Sequence, residues 1–356
     1  MLESTTRLID ADVHPHALPR QLEPHLDERW RSHLERLGTR VAGALAIYPR
    51  VRNAGFRVDA WPEGGFPGSD LTLLQKQLLD EYGIDYAVLT PLQNQVYGGE
   101  APEFGAALCR AVNGWIQADW LDPEPRLRGS ISIAFEHADV SVPEIERLAG
   151  DERWAQVIIP GTAELPLGNR KYWPIYEAAT AAGMAVAIHT GGIDMHRGPG
   201  WPSYYLEEHV WNGNAMAATV LSLICEGTFE RFPDLQVVCV EAGISWAAAL
   251  QWSLDSAWET LRDEAAPLER RPSETFREHF WFTTQPIEEP RDPADLARAL
   301  RMVGMDDRIM FATDYPHWDF DSPGQALPRA LGDELRSKIL GANAARLYRL
   351  GVRVAA

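Results

Sequence analysis

Ile309-Met-Phe-Ala-Thr-Asp314-Tyr-Pro-His317-Trp318 is an apolar run that ends on a carboxylate and is stopped by a proline. Such a run, without polar–apolar alternation, is the pattern of a strand covered on both faces. It delivers one carboxylate, Asp314, to the strand tip. The same arrangement recurs at residues 8–14, ending in Asp12 and His14, at 186–189, ending in His189, and at 237–241, ending in Glu241. Four strands spread over 356 residues that each close on Asp, His or Glu imply one shared site.

Between these anchors, strand-like and helix-like segments alternate. Strands are expected near 85–92, 127–134, 155–160, 184–189, 235–241, 280–284 and 309–313. The helices between them are expected at 70–82, 103–121, 142–148, 173–182, 214–226, 245–262 and 293–303, with helical segments over 333–350 closing the chain. With the first strand this makes eight alternations, which predict an α/β fold of the (β/α)8 TIM-barrel type. An open dinucleotide-binding sheet would carry a glycine-rich phosphate turn after its first strand. Asp12-Val-His14-Pro-His16 occupies that place instead. No repeat or linker divides the chain, so residues 1–356 are read as one domain. Residues 15–69 are irregular apart from a helical 28–37, and are read as a long insertion after strand one, a lid or small cap.

Composition excludes several functions. A hydrophobic content of 46% with 24% charged residues is that of a soluble globular protein. The net charge of −18 argues against nucleic acid or an anionic membrane as partner, and leaves a small molecule. No apolar run approaches the roughly 20 residues that span a bilayer. The N-terminus carries acidic residues and no signal-peptide core. Cys109, Cys225 and Cys239 stand singly in apolar surroundings, as free thiols of a reducing compartment, the cytoplasm.

Asp12 and His14 are two residues apart and so point to one side of an extended chain. With His189 and Asp314 they form a carboxylate–imidazole set suited to one divalent metal, Zn2+ with Mn2+ as the alternative. Such an ion acidifies bound water and polarises a substrate oxygen, and Asp314 would take the proton. Glu241 and His317 complete the catalytic candidates, His317 by orienting Asp314 or touching substrate. His16 lies across Pro15, which makes shared coordination harder. Tyr204, His209 and Trp211 are the substrate-binding candidates. The aromatics of the insertion and of the 191–214 loop, Tyr48, Phe56, Trp61, Phe66, Trp201 and Tyr205 among them, suit a flat or apolar ligand. Neither a Gly-x-Ser-x-Gly elbow nor a Cys–His pair is present.

Asp10-Ala-Asp12-Val-His14-Pro, His189-Thr-Gly-Gly, Glu241-Ala-Gly-Ile-Ser-Trp246, Thr313-Asp314-Tyr-Pro-His317-Trp and Gly341-Ala-Asn343-Ala-Ala-Arg-Leu347-Tyr348 together resemble the amidohydrolase superfamily. The branch is amidohydrolase-2, related to aminocarboxymuconate semialdehyde decarboxylase. The resemblance implies a (β/α)8 barrel, one divalent metal on Asp12, His14, His189 and Asp314, a small carboxylated substrate and a homodimer. Two departures bear on the reaction. The family's usual first-strand motif is His-x-His, and Asp12 takes the first place. Decarboxylases of the family carry a His where Glu241 stands and an Arg near Ser253, whereas no Arg occurs between Arg231 and Arg262. These departures lead to a metal-dependent hydrolase of a small aromatic or cyclic substrate as the first reading. The alternative is a non-oxidative decarboxylase in which Arg50, Arg52, Arg57 or Arg197 grips the carboxylate. A third is a barrel that has lost catalysis and acts as a scaffold.

Overall fold

Runs such as Val237-Val-Cys-Val240 can be apolar on both faces only where both faces are covered, and here they are. The computed structural model describes residues 7–39, 52–191, 202–264 and 268–351. Its strands are β1 (Ile9–Val13), β2 (Tyr86–Leu89), β3 (Leu127–Ser132), β4 (Trp154–Pro160), β5 (Ala185–His189), β6 (Val237–Val240), β7 (Phe280–Thr283) and β8 (Ile309–Met310). They form one parallel sheet in sequence order. The ring closes where Ala11 N donates to Phe311 O (2.9 Å), His14 N donates to Tyr315 O (2.8 Å) and Val13 pairs with Tyr315. This is the (β/α)8 barrel that the alternation predicts.

Side chains along each strand part to two cores. On β6, Val237 and Cys239 pack outward with the helices, beside Val186, Phe282 and Phe311. Val238 and Val240 pack inward with Ile9, Ala11, Val88, Ile158, Ala187 and Met310. This period-two division is what makes every strand tip present one residue to the barrel mouth.

Element boundaries differ from the sequence expectation in two informative places. The helix expected from 214 starts nine residues earlier and runs Tyr205–Cys225. Its first turns carry Glu207 and Glu208, which favour a helix N-terminus electrostatically but blur the apolar periodicity that marks a helix. The last strand is only two residues long, because the chain after Met310 turns to the mouth rather than continuing the ladder. The insertion returns over that same region. Phe56 pairs with His317, Arg57 N donates to Pro316 O (3.0 Å), and Trp318 N donates to Gly55 O (2.9 Å). Tyr48, Arg50, His196, Arg197 and Trp201, and the side chain of Arg52, lie outside the described residues. Among the described residues no helix is long and apolar enough to cross a membrane. Cys109 and Cys239 are buried and Cys225 half-buried, all as free thiols.

Asp10 fastens the closure. It is fully buried, its Oδ1 accepts from Thr313 N (3.0 Å) and Asp12 N (3.2 Å), and its Oδ2 accepts from Thr313 Oγ1 (2.5 Å). Asp10→Ala strands three buried donors at the seam between first and last strands. It should lower unfolding free energy by about 2–4 kcal/mol in a urea titration. A loss below about 1 kcal/mol would show that the clasp is incidental.

Candidate metal centre and its cavity

Five side chains from four strand tips meet at the mouth. His14 Nε2 lies 2.7 Å from Asp314 Oδ1, 3.3 Å from Glu241 Oε1 and 3.5 Å from Asp12 Oδ2. His189 Nε2 lies 3.3 Å from Glu241 Oε1 and 3.9 Å from Asp12 Oδ2. Two groups, Asp12/His14/His189/Glu241 and His14/Glu241/Asp314/His317, each bring their ligand atoms within 4.8 Å of one another.

Backbone contacts aim both imidazoles. His14 Nδ1–H donates to Thr90 O (2.8 Å), and His189 Nδ1–H donates to Thr190 O (2.6 Å). Each bond fixes the tautomer and leaves Nε2 as the inward ligand atom. Asp12 Oδ1 accepts from Thr90 Oγ1, while its buried Oδ2 accepts from no described residue. A buried carboxylate oxygen without a donor is costly unless a cation satisfies it. Mixed carboxylate and imidazole donors converging on one point therefore fit a divalent metal. Glu241 (φ 55°) and Asp314 (φ 58°) both adopt left-handed backbone, which costs a non-glycine residue of order 1–3 kcal/mol. That turn swings each carboxylate from the end of its strand into the mouth.

The electrostatics follow from crowding. Burial depresses the His14 pKa, but Asp12, Asp314 and Glu241 outweigh it and hold the ring well above its ordinary value. His189 is likewise raised, by Glu241 and Asp12 against burial. Glu241 is held well below a normal carboxylate, because the charges of His189 and His14 overcome its burial. Asp314 goes the other way: burial and then the Glu241 charge push it well up, with His14 opposing. His317, whose Nδ1 lies 2.5 Å from Asp314 Oδ1, is pressed down to about 4 by burial and then by His14.

The cluster floors a cavity of about 240 Å3 whose wall includes Leu92, Tyr205, Glu208, His209, Asn212 and Gln285. A second space of about 670 Å3 adjoins it, sharing His209, Asn212, Glu241, Gln285, Pro286 and Asp319. Of the three substrate-binding candidates, only His209 lines these spaces. Tyr204 is 74% exposed, and neither it nor Trp211 reaches either wall. The cause is the early helix start: on a helix from Tyr205, residues 205, 208, 209 and 212 share the inward face, which leaves Tyr204 and Trp211 beside it. His16 packs against Phe66 instead of joining the cluster. Arg57 pairs with Asp59 (2.7 Å) and stacks over Phe320, away from the cavity. Thr90, Asn212, Gln285 and Asp319 were not singled out from sequence. Neutral residues at strand ends carry no period, and Asp319 is legible only as a neighbour of the Asp314–Trp318 segment.

The family model described as amidohydrolase matches residues 9–350. Gamma-resorcylate decarboxylase of Rhodococcus jostii (strain RHA1) is 22% identical over 296 residues, covering 79% of this chain and 88% of that protein. Among solved structures, 5-carboxyvanillate decarboxylase from Sphingomonas paucimobilis superposes with a TM-score of 0.68 at 23% identity, over 98% of this chain and 100% of that one. The 5-carboxyvanillate decarboxylase of Novosphingobium aromaticivorans DSM 12444, complexed with manganese and 4-hydroxy-3-methoxy-5-nitrobenzoic acid, gives 0.66 at 17% identity, over 98% and 97%. At these identities the structural likenesses establish the fold.

Because the surrounding carboxylates raise the pKa values of His14 and His189 in the folded protein, protons compete with a cation for both imidazoles. Cation affinity should therefore rise with pH, being weaker at pH 6 than at pH 8, with protons released on binding. Calorimetric Mn2+ titrations in two buffers of different ionisation enthalpy measure that release. Heats that do not depend on the buffer would contradict the arrangement.

Proposed function

The chain belongs to the amidohydrolase family, and from that premise we propose that it is a metal-dependent, non-oxidative decarboxylase of a one-ring aromatic acid. The observation that carries the reading is Asp314, a buried carboxyl at the mouth that lies 2.5 Å from His317 Nδ1 and whose pKa burial and Glu241 push up. Protonating a ring carbon needs an acid at the reacting centre, whereas attack by water needs a base there. The decarboxylases among its relatives support the same choice. A cavity of about 240 Å3 lies below the roughly 300–1,000 Å3 of drug-sized pockets and suits a single substituted ring.

Asp12, His14, His189 and Glu241, whose ligand atoms lie within 4.8 Å of one another, would hold the cation, which leaves Asp314 free to carry a proton. Bound there, the ion would anchor the substrate carboxylate and draw charge from a neighbouring oxygen. The carboxylates of Asp12 and Glu241 favour Mn2+ over Zn2+, since oxygen donors suit the harder ion. Asp314 delivers its proton to the carboxyl-bearing carbon. The carbon–carbon bond then breaks, carbon dioxide leaves, and the bond's electron pair restores the ring. His317, 19% exposed and in contact with Asp314, returns a proton from solvent. Glu241, a carboxylate where family decarboxylases carry a His, favours the hydrolytic reading that the sequence suggested first. In that reading it would orient the attacking water.

Carboxyl-labelled hydroxybenzoates incubated with Mn2+-loaded protein should release labelled carbon dioxide. Asp314→Asn should lower kcat by about 10²–10⁴-fold. Turnover of an ester, lactone or amide panel with no carbon dioxide from any acid would replace this reading with the hydrolase.

A further inference from the structure

His209 and Asp319 come from different elements, the helix Tyr205–Cys225 and the segment after β8, and meet across the roof of the cavity. His209 Nε2 lies 3.3 Å from Asp319 Oδ2. Both residues line the 240 Å3 cavity and the 670 Å3 space beside it, so the pair stands where the two join. Its position is held from three sides. Gln285 Nε2 donates to Asp319 O (3.0 Å), Trp318 Nε1 donates to Tyr205 Oη (3.2 Å), and the rings of Tyr205 and Trp318 lie 5.7 Å and 6.0 Å from His209. Asp319 draws the imidazole proton to Nε2, which makes Nδ1 an acceptor. No described residue donates to that nitrogen, and His209 is 27% exposed.

We propose that His209, oriented by Asp319, is a specificity-determining residue that accepts a hydrogen bond from a ring hydroxyl on the substrate, at the end away from the carboxylate. This rests on the decarboxylase reading, which places the carboxylate at the metal cluster on the cavity floor. A one-ring acid anchored there has its far edge toward the roof, where His209 stands. An acceptor in a partly desolvated wall discriminates strongly, because an analogue lacking the donor leaves it unpaired. The acidic partner makes the imidazole a better acceptor and keeps it from turning away.

The test is calorimetric binding to the full Mn2+-loaded chain, which needs no turnover. The probes are 2-hydroxybenzoate and its 2,3-, 2,4-, 2,5- and 2,6-dihydroxy counterparts. At least one of the 2,3-, 2,4- and 2,5-dihydroxy acids, whose second hydroxyl lies away from the carboxylate, should bind about tenfold more tightly than 2-hydroxybenzoate. His209→Leu should bring that ratio within about twofold. Equal binding of all five acids to the unaltered protein would overturn the proposal, as would a preference that survives His209→Leu. Should the leucine variant no longer bind 2-hydroxybenzoate, His209→Gln decides, because its amide keeps an acceptor. A retained preference then supports the role, and a lost one overturns it. Carbon dioxide release is read separately, so a preserved ratio without turnover would spare the subsite and reject the decarboxylase reading.

Discussion

The seam between first and last strands governs the rest of the molecule. β8 contributes only two residues to the ladder, too few to hold the ring by backbone pairing alone. Asp10 supplies what is missing by accepting from both the backbone and the hydroxyl of Thr313. That clasp sets the register in which Asp12 and His14, two and four residues beyond Asp10, face Asp314, one residue beyond Thr313. A slip of one residue would turn Asp12 and His14 to the opposite face. The barrel's closure and the assembly of its site are thus a single event.

What the clasp brings together would repel without further arrangement. Asp12, Glu241 and Asp314 converge in a nearly water-free mouth, where like charges cannot all ionise cheaply. The structure divides them. The imidazoles of His189 and His14 lower the pKa of Glu241 despite its burial, while burial and the Glu241 charge raise that of Asp314. Left-handed backbone at both residues pays for that division in strain, and their surroundings over-determine it. Thr190 Oγ1 holds Glu241 Oε2 (2.9 Å), and Thr283 Oγ1 accepts from Glu241 N (3.2 Å). Two carboxylates of ordinary chemistry thereby have their pKa values pushed apart, the condition for separate roles.

The barrel was legible in the sequence because doubly covered strands leave continuous apolar runs, and ionisable residues at their ends stand out against them. Asp12, His14, His189, Glu241 and Asp314 were all found this way, and the structure brings them together. The cavity's roof was not legible. It is built by the helix Tyr205–Cys225, whose first turns serve a solvent-filled space and so lack an apolar stripe. Reading residues 201–213 as loop drew attention to Tyr204 and Trp211, whereas helical periodicity selects Tyr205, His209 and Asn212. Thr90 escaped notice for a different reason. It acts through a backbone carbonyl and a hydroxyl, neither of which has a sequence signature.

The two departures from the family's pattern, Asp12 for a histidine and Glu241 for another, act in the same electrostatic direction. Each replaces a neutral ligand with an anion, so together they add two negative charges to the mouth. That excess raises the pKa values of His14 and His189 against the effect of their burial. A divalent ion at the mouth would compete with protons for those two imidazoles. The Asp12 departure, which bears on the affinity and identity of a metal, still leaves a carboxylate in the group whose ligand atoms lie within 4.8 Å of one another. The Glu241 departure removes a histidine from the mouth, into which the segment after β8 brings Asp314 and His317, 2.5 Å apart.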